Sequence, residues 1–414
     1  MKNFNSATTS RQFADYEADI IQGLIARQPL MGPGGLLSGL IKHVVEGALR
    51  AELDTQLAEQ RAAGVENKRN GRTKKTIRTD LGPVEIESSR DRAGTFEPVT
   101  VGKRQYDLAP HLAKQIVTLY ARGNSERDIA AQLHDLLGND LSAASICAII
   151  QEEWPRVQEW QQRPLQAFYA VIYCDAIHFN LRQDGSTDSA AVYTIYGIDA
   201  HGQRDILAVE LSEGGEGASQ WSVCLQSLKQ RGVEDVLVVC AHGLAGFAEA
   251  VNHHFPQSVF QRCLVHIIRN CMRHVDYKDR RPLCADLRSV YQATSRLQGQ
   301  QALEEARLRW SKKYPHVFRI WDTNWEDIMA FKDFGPELQR IVYTTNPVEN
   351  VHRLERKATK TKGSWPSAKS LLIQLFLALD INRKGWYRQV YNWVAVSREL
   401  AQKFGDRFTK HLVV

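Results

Sequence analysis

The sequence predicts an α/β protein: a mixed β-sheet core with helices on both faces, an all-α insertion, and a helical N-terminal region. Three observations predict it. Residues 170–177 and 236–241 are apolar, β-branched runs of strand length, and further strand-length runs lie at 191–198 and 205–211. A helical pattern at 220–229 (Trp221, Cys224, Leu225, Leu228) separates the third and fourth of these runs. From residue 267 to about 314 apolar residues recur at helical spacing, as in Ile267, Ile268, Cys271, Val275, Leu283 and Leu287.

The chain has 414 residues, enough for two or more domains with their own cores. Its formal net charge of +6 hints mildly at an acidic partner. Seven cysteines, an odd number spread through apolar runs, fit reduced thiols in a cytosolic protein rather than a disulfide framework. The polar N-terminus carries no continuous apolar stretch, so a cytoplasmic protein with no signal peptide and no membrane span is expected.

Taken in order, a helix is expected through 16–25, a break at 31–35, and an amphipathic helix over 36–57 that packs on its own domain or on a second copy. Residues 62–70 read as a polar loop, leading into a small hairpin over 74–86. That region is basic: Arg69, Arg72, Lys74 and Lys75 fall within a run free of acids, as phosphate contact requires, although a solvated loop face has the same look. Three short helices follow between 110 and 150. Ser125 with Asp128 forms a capping-box pattern, and Ser142 caps the third helix. Short helices with tight polar turns resemble a helix-turn-helix unit, with Arg127 on the middle helix. Residues 154–164 read as an amphipathic linker.

The core begins near Phe168. Asp175 is embedded in the first strand, a costly place for a carboxylate unless it is paired or holds a metal. A turn over 184–189 leads to the second strand and a turn at 199–202 to the third. Residues 236–266 then read as strand, turn at Gly243, short helix, Pro256 break and second strand, with His242 at the mouth of the fourth strand. Three antiparallel strands, a helix, a strand, a helix and a strand is a ribonuclease-H-like order. Such cores place acids at the ends of the first and fourth strands and on a later helix. That later helix is expected to open at Asn346-Pro347, with Glu349 in its first turn and Arg353, Arg356, Lys357 and Lys360 behind it. Residues 371–381 and 386–393 read as closing core helices. The resulting segments are 1–60, helical; 61–108, basic hairpin and loop; 109–164, helix-turn-helix-like unit and linker; 165–266, core; 267–340, helical insertion; and 341–414, last core helices.

Several short motifs, in this order, carry a resemblance. They are Arg90-Asp-Arg-Ala-Gly-Thr-Phe-Glu-Pro98, Leu119-Tyr-Ala-Arg-Gly123, Arg127-Asp-Ile129 and Asp175-Ala-Ile177. They continue with Gly243-Leu-Ala-Gly-Phe-Ala-Glu-Ala250, Phe255-Pro256, Gln261-Arg-Cys-Leu-Val-His266, Arg269-Asn270, and Tyr343-Thr-Thr-Asn-Pro-Val-Glu349 with Asn350, Arg353 and Lys360-Thr-Lys-Gly363. Together they resemble the mutator-type transposases of bacterial insertion sequences, over nearly everything after residue 30. Gly243, Arg262, Cys263, His266, Asn346 and Asn350 belong to these motifs.

The resemblance implies a ribonuclease-H-like core with an Asp, Asp, Glu set, in which Asp175 is the first Asp and Glu349 the Glu. It implies two Mg²⁺ or Mn²⁺ ions, which hold to carboxylate oxygens and promote an in-line displacement at phosphorus. It implies double-stranded DNA with terminal inverted repeats and a target DNA as partners, and a homo-oligomer that brings two element ends together. Cys263-x-x-His266 alone suggests zinc, but no second Cys/His pair has a matching spacing, so the pair reads as a structural or DNA-proximal element.

One position departs from the family pattern. His242 stands where the second catalytic Asp is expected, and imidazole is a neutral nitrogen ligand that cannot bridge two ions as a carboxylate does. Asp235 begins the same strand about 20 Å away at about 3.3 Å per residue, and Asp199 lies in a turn, so neither replaces it. The expectation is a transposase that binds element ends but cleaves and joins DNA poorly. The alternative is an inactive DNA-binding copy that occupies the ends and regulates transposition. A general nuclease would have no use for the N-terminal region.

Overall fold

The structure is a computed structural model that describes residues 13–32, 34–103, 105, 110–138, 140–183, 186–213, 215–343 and 345–412. Arg104, which continues the positive charge of the basic hairpin region in the sequence, Thr344 and the 184–185 part of the expected turn lie outside these residues. The chain divides into two compact units, one comprising 1–120 with 124–152 and the other 121–123 with 153–414.

The first unit opens with helices α1 (Phe13–Ile25) and α2 (Leu36–Ala62) and an antiparallel hairpin of β1 (Arg69–Thr79) and β2 (Gly82–Asp91). Leu49 of α2 is fully buried against Ile77, Val84 and Ile86 of the hairpin, so α2 packs within its own unit. Each strand of this hairpin starts or ends beyond the expected one, and β1 reaches back into the segment read as a loop. Cross-strand pairing there needs no apolar alternation, because β1 is exposed along most of its length. Helices α3 (Pro110–Ala121), α4 (Glu126–Leu137) and α5 (Ala143–Gln151) complete the unit. Ser125 and Asp128 form the reciprocal capping box at α4, and Ser142 accepts from the Ser145 amide at α5.

The second unit starts with α6 (Trp154–Gln162), a helix where a linker was expected. Pro155 at its first turn costs no hydrogen bond, Val157 is buried, and Trp160 packs 5.6 Å from Phe376. The sheet follows: β3 (Phe168–Gln183), β4 (Ser186–Ile198), β5 (Arg204–Glu213), α7 (Ala218–Gln230), β6 (Asp235–Ala241), α8 (Phe247–His254) and β7 (Val259–Arg262). Residues 186–189, read as turn, extend β4. Strand order across the sheet is β5-β4-β3-β6-β7, with β3, β4 and β5 antiparallel and β6 and β7 parallel to β3.

Residues 264–266, read as the end of a strand, instead open α9 (Leu264–Met272), which is followed by α10 (Tyr277–Gln292), α11 (Arg296–Trp310) and α12 (Pro315–Met329). Then come α13 (Pro336–Val342), α14 (Asn346–Thr359), α15 (Ala368–Ile381), α16 (Arg383–Trp386), α17 (Trp393–Phe404) and α18 (Asp406–Thr409). Residues 387–392 are not helical, against the expectation, and helix resumes only at Trp393. Trp221, Leu225, Phe247 and Val251 from α7 and α8 cover one face of the sheet. Leu264, Val348, Val351, Leu371 and Leu375 belong to the core on the other face. The core therefore has helices on both faces.

Candidate active site

The register of two parallel strands builds the site. Cys174 of β3 lies opposite Ala241 of β6, so the next residues, Asp175 and His242, are neighbours at the strand mouth. Cys174 and Ala241 point into the α7–α8 side of the core. Strand alternation sends Asp175 and His242 to the opposite face. That is the face over which α14 packs.

Helix α14 is sharply two-sided. Val348, Val351, His352, Glu355, Ala358 and Thr359 are buried, whereas Arg353, Arg356, Lys357 and Lys360 are exposed. Pro347 starts the helix without the loss of a hydrogen bond, and Glu349 sits half-buried in the first turn. Glu355, the only acid among those cations in sequence, is fully buried and faces the sheet. The exposed face is thus uniformly basic from Arg353 to Lys360.

His242 is held between two carboxylates. Its Nδ1 lies 2.9 Å from Asp175 Oδ1, an ion-pair contact rather than an aligned hydrogen bond, and its Nε2 lies 3.0 Å from Glu216 Oε1 and 3.1 Å from Oε2. Burial alone would disfavour the imidazolium, but the two acids outweigh it and push the His242 pKa up to about 9. Burial likewise opposes ionisation of Asp175, yet His242 and His352 hold its carboxyl well below the usual range. Glu216, also lowered against its burial by His242, is steadied by a 2.7 Å bond from Trp221 Nε1.

The acid and imidazole pattern continues inward. His352 Nδ1 stands 3.4 Å from Asp175 Oδ2, and His352 Nε2 stands 3.9 Å from Glu355 Oε2. Thr194 Oγ1 donates to Glu355 Oε1 at 3.4 Å. Burial pushes the Glu355 carboxyl up. Glu216, His352 and Glu355 were not found from the sequence. The available signals were an acid set between Gly215 and Gly217, and polar residues at helical spacing from Glu349.

Asp175, His266 and Glu349 can present one ligand atom each, all within 4.8 Å of one another. Asp175, His266, Arg269, Asn346, Glu349, Asn350, Arg353 and Arg356 line one open cleft of about 530 Å³. Arg353, Arg356, Lys357 and Lys360 line a neighbouring groove of about 570 Å³ with Trp365. Cys263 is buried, and its Sγ accepts from Thr345 N at 3.4 Å and Thr345 Oγ1 at 3.2 Å. Burial raises its pKa. Arg262 reaches Asp327 at 3.0 Å and passes over Gly243, where a Cβ would lie 2.5 Å from Arg262 Nη1. Asp235 is fixed by Arg407 at the other end of β6, and Asp199 Oδ1 caps the amides of His201 and Gln203.

The remaining basic residues belong to the other unit. Arg69 pairs with Asp54, Arg72 with Glu87 at 3.0 Å and Lys74 with Glu85 at 3.4 Å. Lys75 Nζ donates to the carbonyls of Gly102 and Gln105. Arg127 is exposed on α4. The hairpin cations are therefore largely engaged, whereas among the described residues no salt bridge reaches Arg353, Arg356, Lys357 or Lys360.

Known proteins share this sequence along nearly its whole length. A family model described as "Transposase, Mutator family" matches residues 16–389. The probable transposase for insertion sequence element ISRM3-like of Sinorhizobium fredii is 36% identical over 397 residues, covering 95% of this chain and 99% of that protein. The transposase for ISRM3 of Rhizobium meliloti matches with the same identity and coverage. The transposase for IS1201 of Lactobacillus helveticus is 28% identical over 363 residues, covering 86% of this chain and 96% of its own. Match and coverage together place the chain in a family of DNA-processing enzymes: it belongs to the Mutator family of transposases.

Proposed function

We propose that this protein binds the terminal inverted repeats of an insertion element and a target DNA as a homo-oligomer, and that His242 impairs its metal-dependent strand cleavage and transfer. The sheet order β5-β4-β3-β6-β7, with three antiparallel strands followed by two parallel ones, supports a ribonuclease-H-like core. The exposed basic face of α14 supports phosphate contact beside the carboxylates, and the helices α3–α5, capped at α4 and α5, with the hairpin support a DNA-recognition role for the first unit. Among the described residues no helix is long and apolar enough to cross a membrane. A bacterial cytoplasmic location at the nucleoid follows from the DNA substrate.

The chemistry rests on which residues can hold Mg²⁺ or Mn²⁺. Asp175 and Glu349 are oxygen donors facing one cleft, and they fit one divalent ion. A second ion does not fit, because the expected third carboxylate is His242, and both of its ring nitrogens are already committed to acids. A bound divalent ion supplies positive charge to a phosphodiester and its leaving oxygen. The chain's own part is to place Asp175 and Glu349 from β3 and α14, and to seat the DNA backbone with Arg269, Arg353 and Arg356.

One observation carries this reading: the imidazole of His242 is clamped between Asp175 and Glu216, where a metal-bridging carboxylate is expected. The test pairs DNA binding with strand cleavage on terminal-repeat DNA, for the native protein and His242→Asp. The reading expects salt-dependent binding by both proteins and Mg²⁺-dependent cleavage mainly by the variant. Equal cleavage by the two overturns it.

A further inference from the structure

We propose that His266 is the third protein ligand of a single divalent-cation site formed with Asp175 and Glu349, and that its nitrogen makes the site prefer Mn²⁺ to Mg²⁺. The proposal rests on the reading above that Asp175 and Glu349 are the metal-binding acids, and adds a ligand and a selectivity to it.

Geometry carries the assignment. The three ligand atoms lie within 4.8 Å of one another. Bonds of about 2.0–2.2 Å place the ligands of one ion roughly 3–4 Å apart, so the widest separation closes by about 1–2 Å to seat a cation. His266 Nε2 faces Glu349 Oε1 across 4.0 Å, too far for a hydrogen bond and suited to a shared ion. His242 cannot take this place, since its nitrogens meet Asp175 and Glu216.

A single junction launches both outer ligands. Cys263 precedes α9 and Thr345 precedes α14, and the Cys263 Sγ accepts both the amide and the hydroxyl of Thr345. Leu264 N also donates to Tyr343 O at 3.3 Å. His266 lies in the first turn of α9 and Glu349 in the first turn of α14, so this buried tie fixes their separation. The Cys263-x-x-His266 spacing then has a physical reason: Cys263 positions, and His266 binds. The two residues are not ligands of one zinc ion, because the thiol is turned to Thr345.

Selectivity follows from the donor set. Mg²⁺ favours all-oxygen octahedra, whereas Mn²⁺ accepts imidazole more readily. Two carboxylates and a neutral imidazole leave the bound ion electrically balanced. Arg269, Arg353 and Arg356 beside it then remain to meet phosphate.

The test uses the full-length protein without DNA. Mn²⁺ binding is followed by the loss of the free-ion paramagnetic resonance signal, and the bound ion is examined by electron spin echo modulation. The proposal expects about one Mn²⁺ per chain, modulation from a directly bound ¹⁴N, and little displacement by a tenfold excess of Mg²⁺. His266→Asn removes the ¹⁴N modulation and weakens Mn²⁺ binding at least tenfold, while its thermal unfolding stays close to that of the native protein. If Mn²⁺ binds and Glu349→Gln weakens it, but no ¹⁴N modulation is present or Mg²⁺ competes equally, the His266 assignment is overturned and the carboxylate reading stands. If Glu349→Gln has no effect on binding, or no Mn²⁺ binds, both are overturned.

Discussion

Gly243 shows how closely one residue can be constrained beside the site. Arg262 crosses over it to reach Asp327, and any Cβ there would lie 2.5 Å from the guanidinium and 3.1 Å from Cδ. Gly243→Ala therefore makes the Arg262 guanidinium shift beside Asp327 and is expected to cost about 1 kcal/mol in denaturant unfolding. Unchanged stability would show that Arg262 finds an equivalent path. Glu355 makes a second residue-scale prediction. Burial raises its pKa above the unfolded value of about 4.3, so the stability it contributes is present below that value and is lost as pH rises through the folded pKa. Gln keeps the shape and cannot ionise. Glu355→Gln is expected to flatten the fall in melting temperature as pH rises above about 4.3. An unaltered pH profile contradicts a raised pKa at this buried acid.

At the scale of the element, α14 joins the site to its basic groove. Its exposed cations lack salt-bridge partners among the described residues, whereas Lys74 of the hairpin is paired with Glu85. Each phosphate contact contributes about one unit to the slope of log K against log salt. Arg353→Ala with Arg356→Ala should lower that slope by about 2 on repeat-end DNA, and Lys74→Ala should lower it by much less. Equal losses would place the DNA elsewhere.

The same helix marks what the sequence makes legible. Its start was readable from Asn346-Pro347, and the capping box at Ser125 and Asp128 from local spacing, because both depend on neighbours within one turn. The succession of strands and helices along the sheet unit is readable from apolar runs and turns, but their order across the sheet is not. Nor is the clamp on His242. Glu216 arrives from the segment before α7, and His352 and Glu355 become part of the site only because α14 lies over β3 and β4. Helix α6 looks like a linker in the sequence because its stabilising contacts, such as Trp160 with Phe376, are distant along the chain. Leu264 to His266 looked like strand because a short apolar run does not distinguish strand from the first turn of a helix.

At the scale of the molecule, the chain belongs to the Mutator transposases, and the proposal is that His242 stands where that scaffold would use a carboxylate. The mixed sheet, the α9–α13 helices and the two-sided α14 bring Asp175 and Glu349 to one cleft, and a clamped imidazole stands at the mouth of β6. On the proposed function, DNA binding and strand chemistry are separable within one chain. The most direct measurement is single-turnover cleavage of terminal-repeat DNA in Mg²⁺ by the native protein and by His242→Asp, at matched DNA occupancy. Restoring several kcal/mol of transition-state stabilisation corresponds to a gain on the order of a hundredfold or more. The account predicts that gain with little change in affinity. Native cleavage as fast as that of the variant would contradict it.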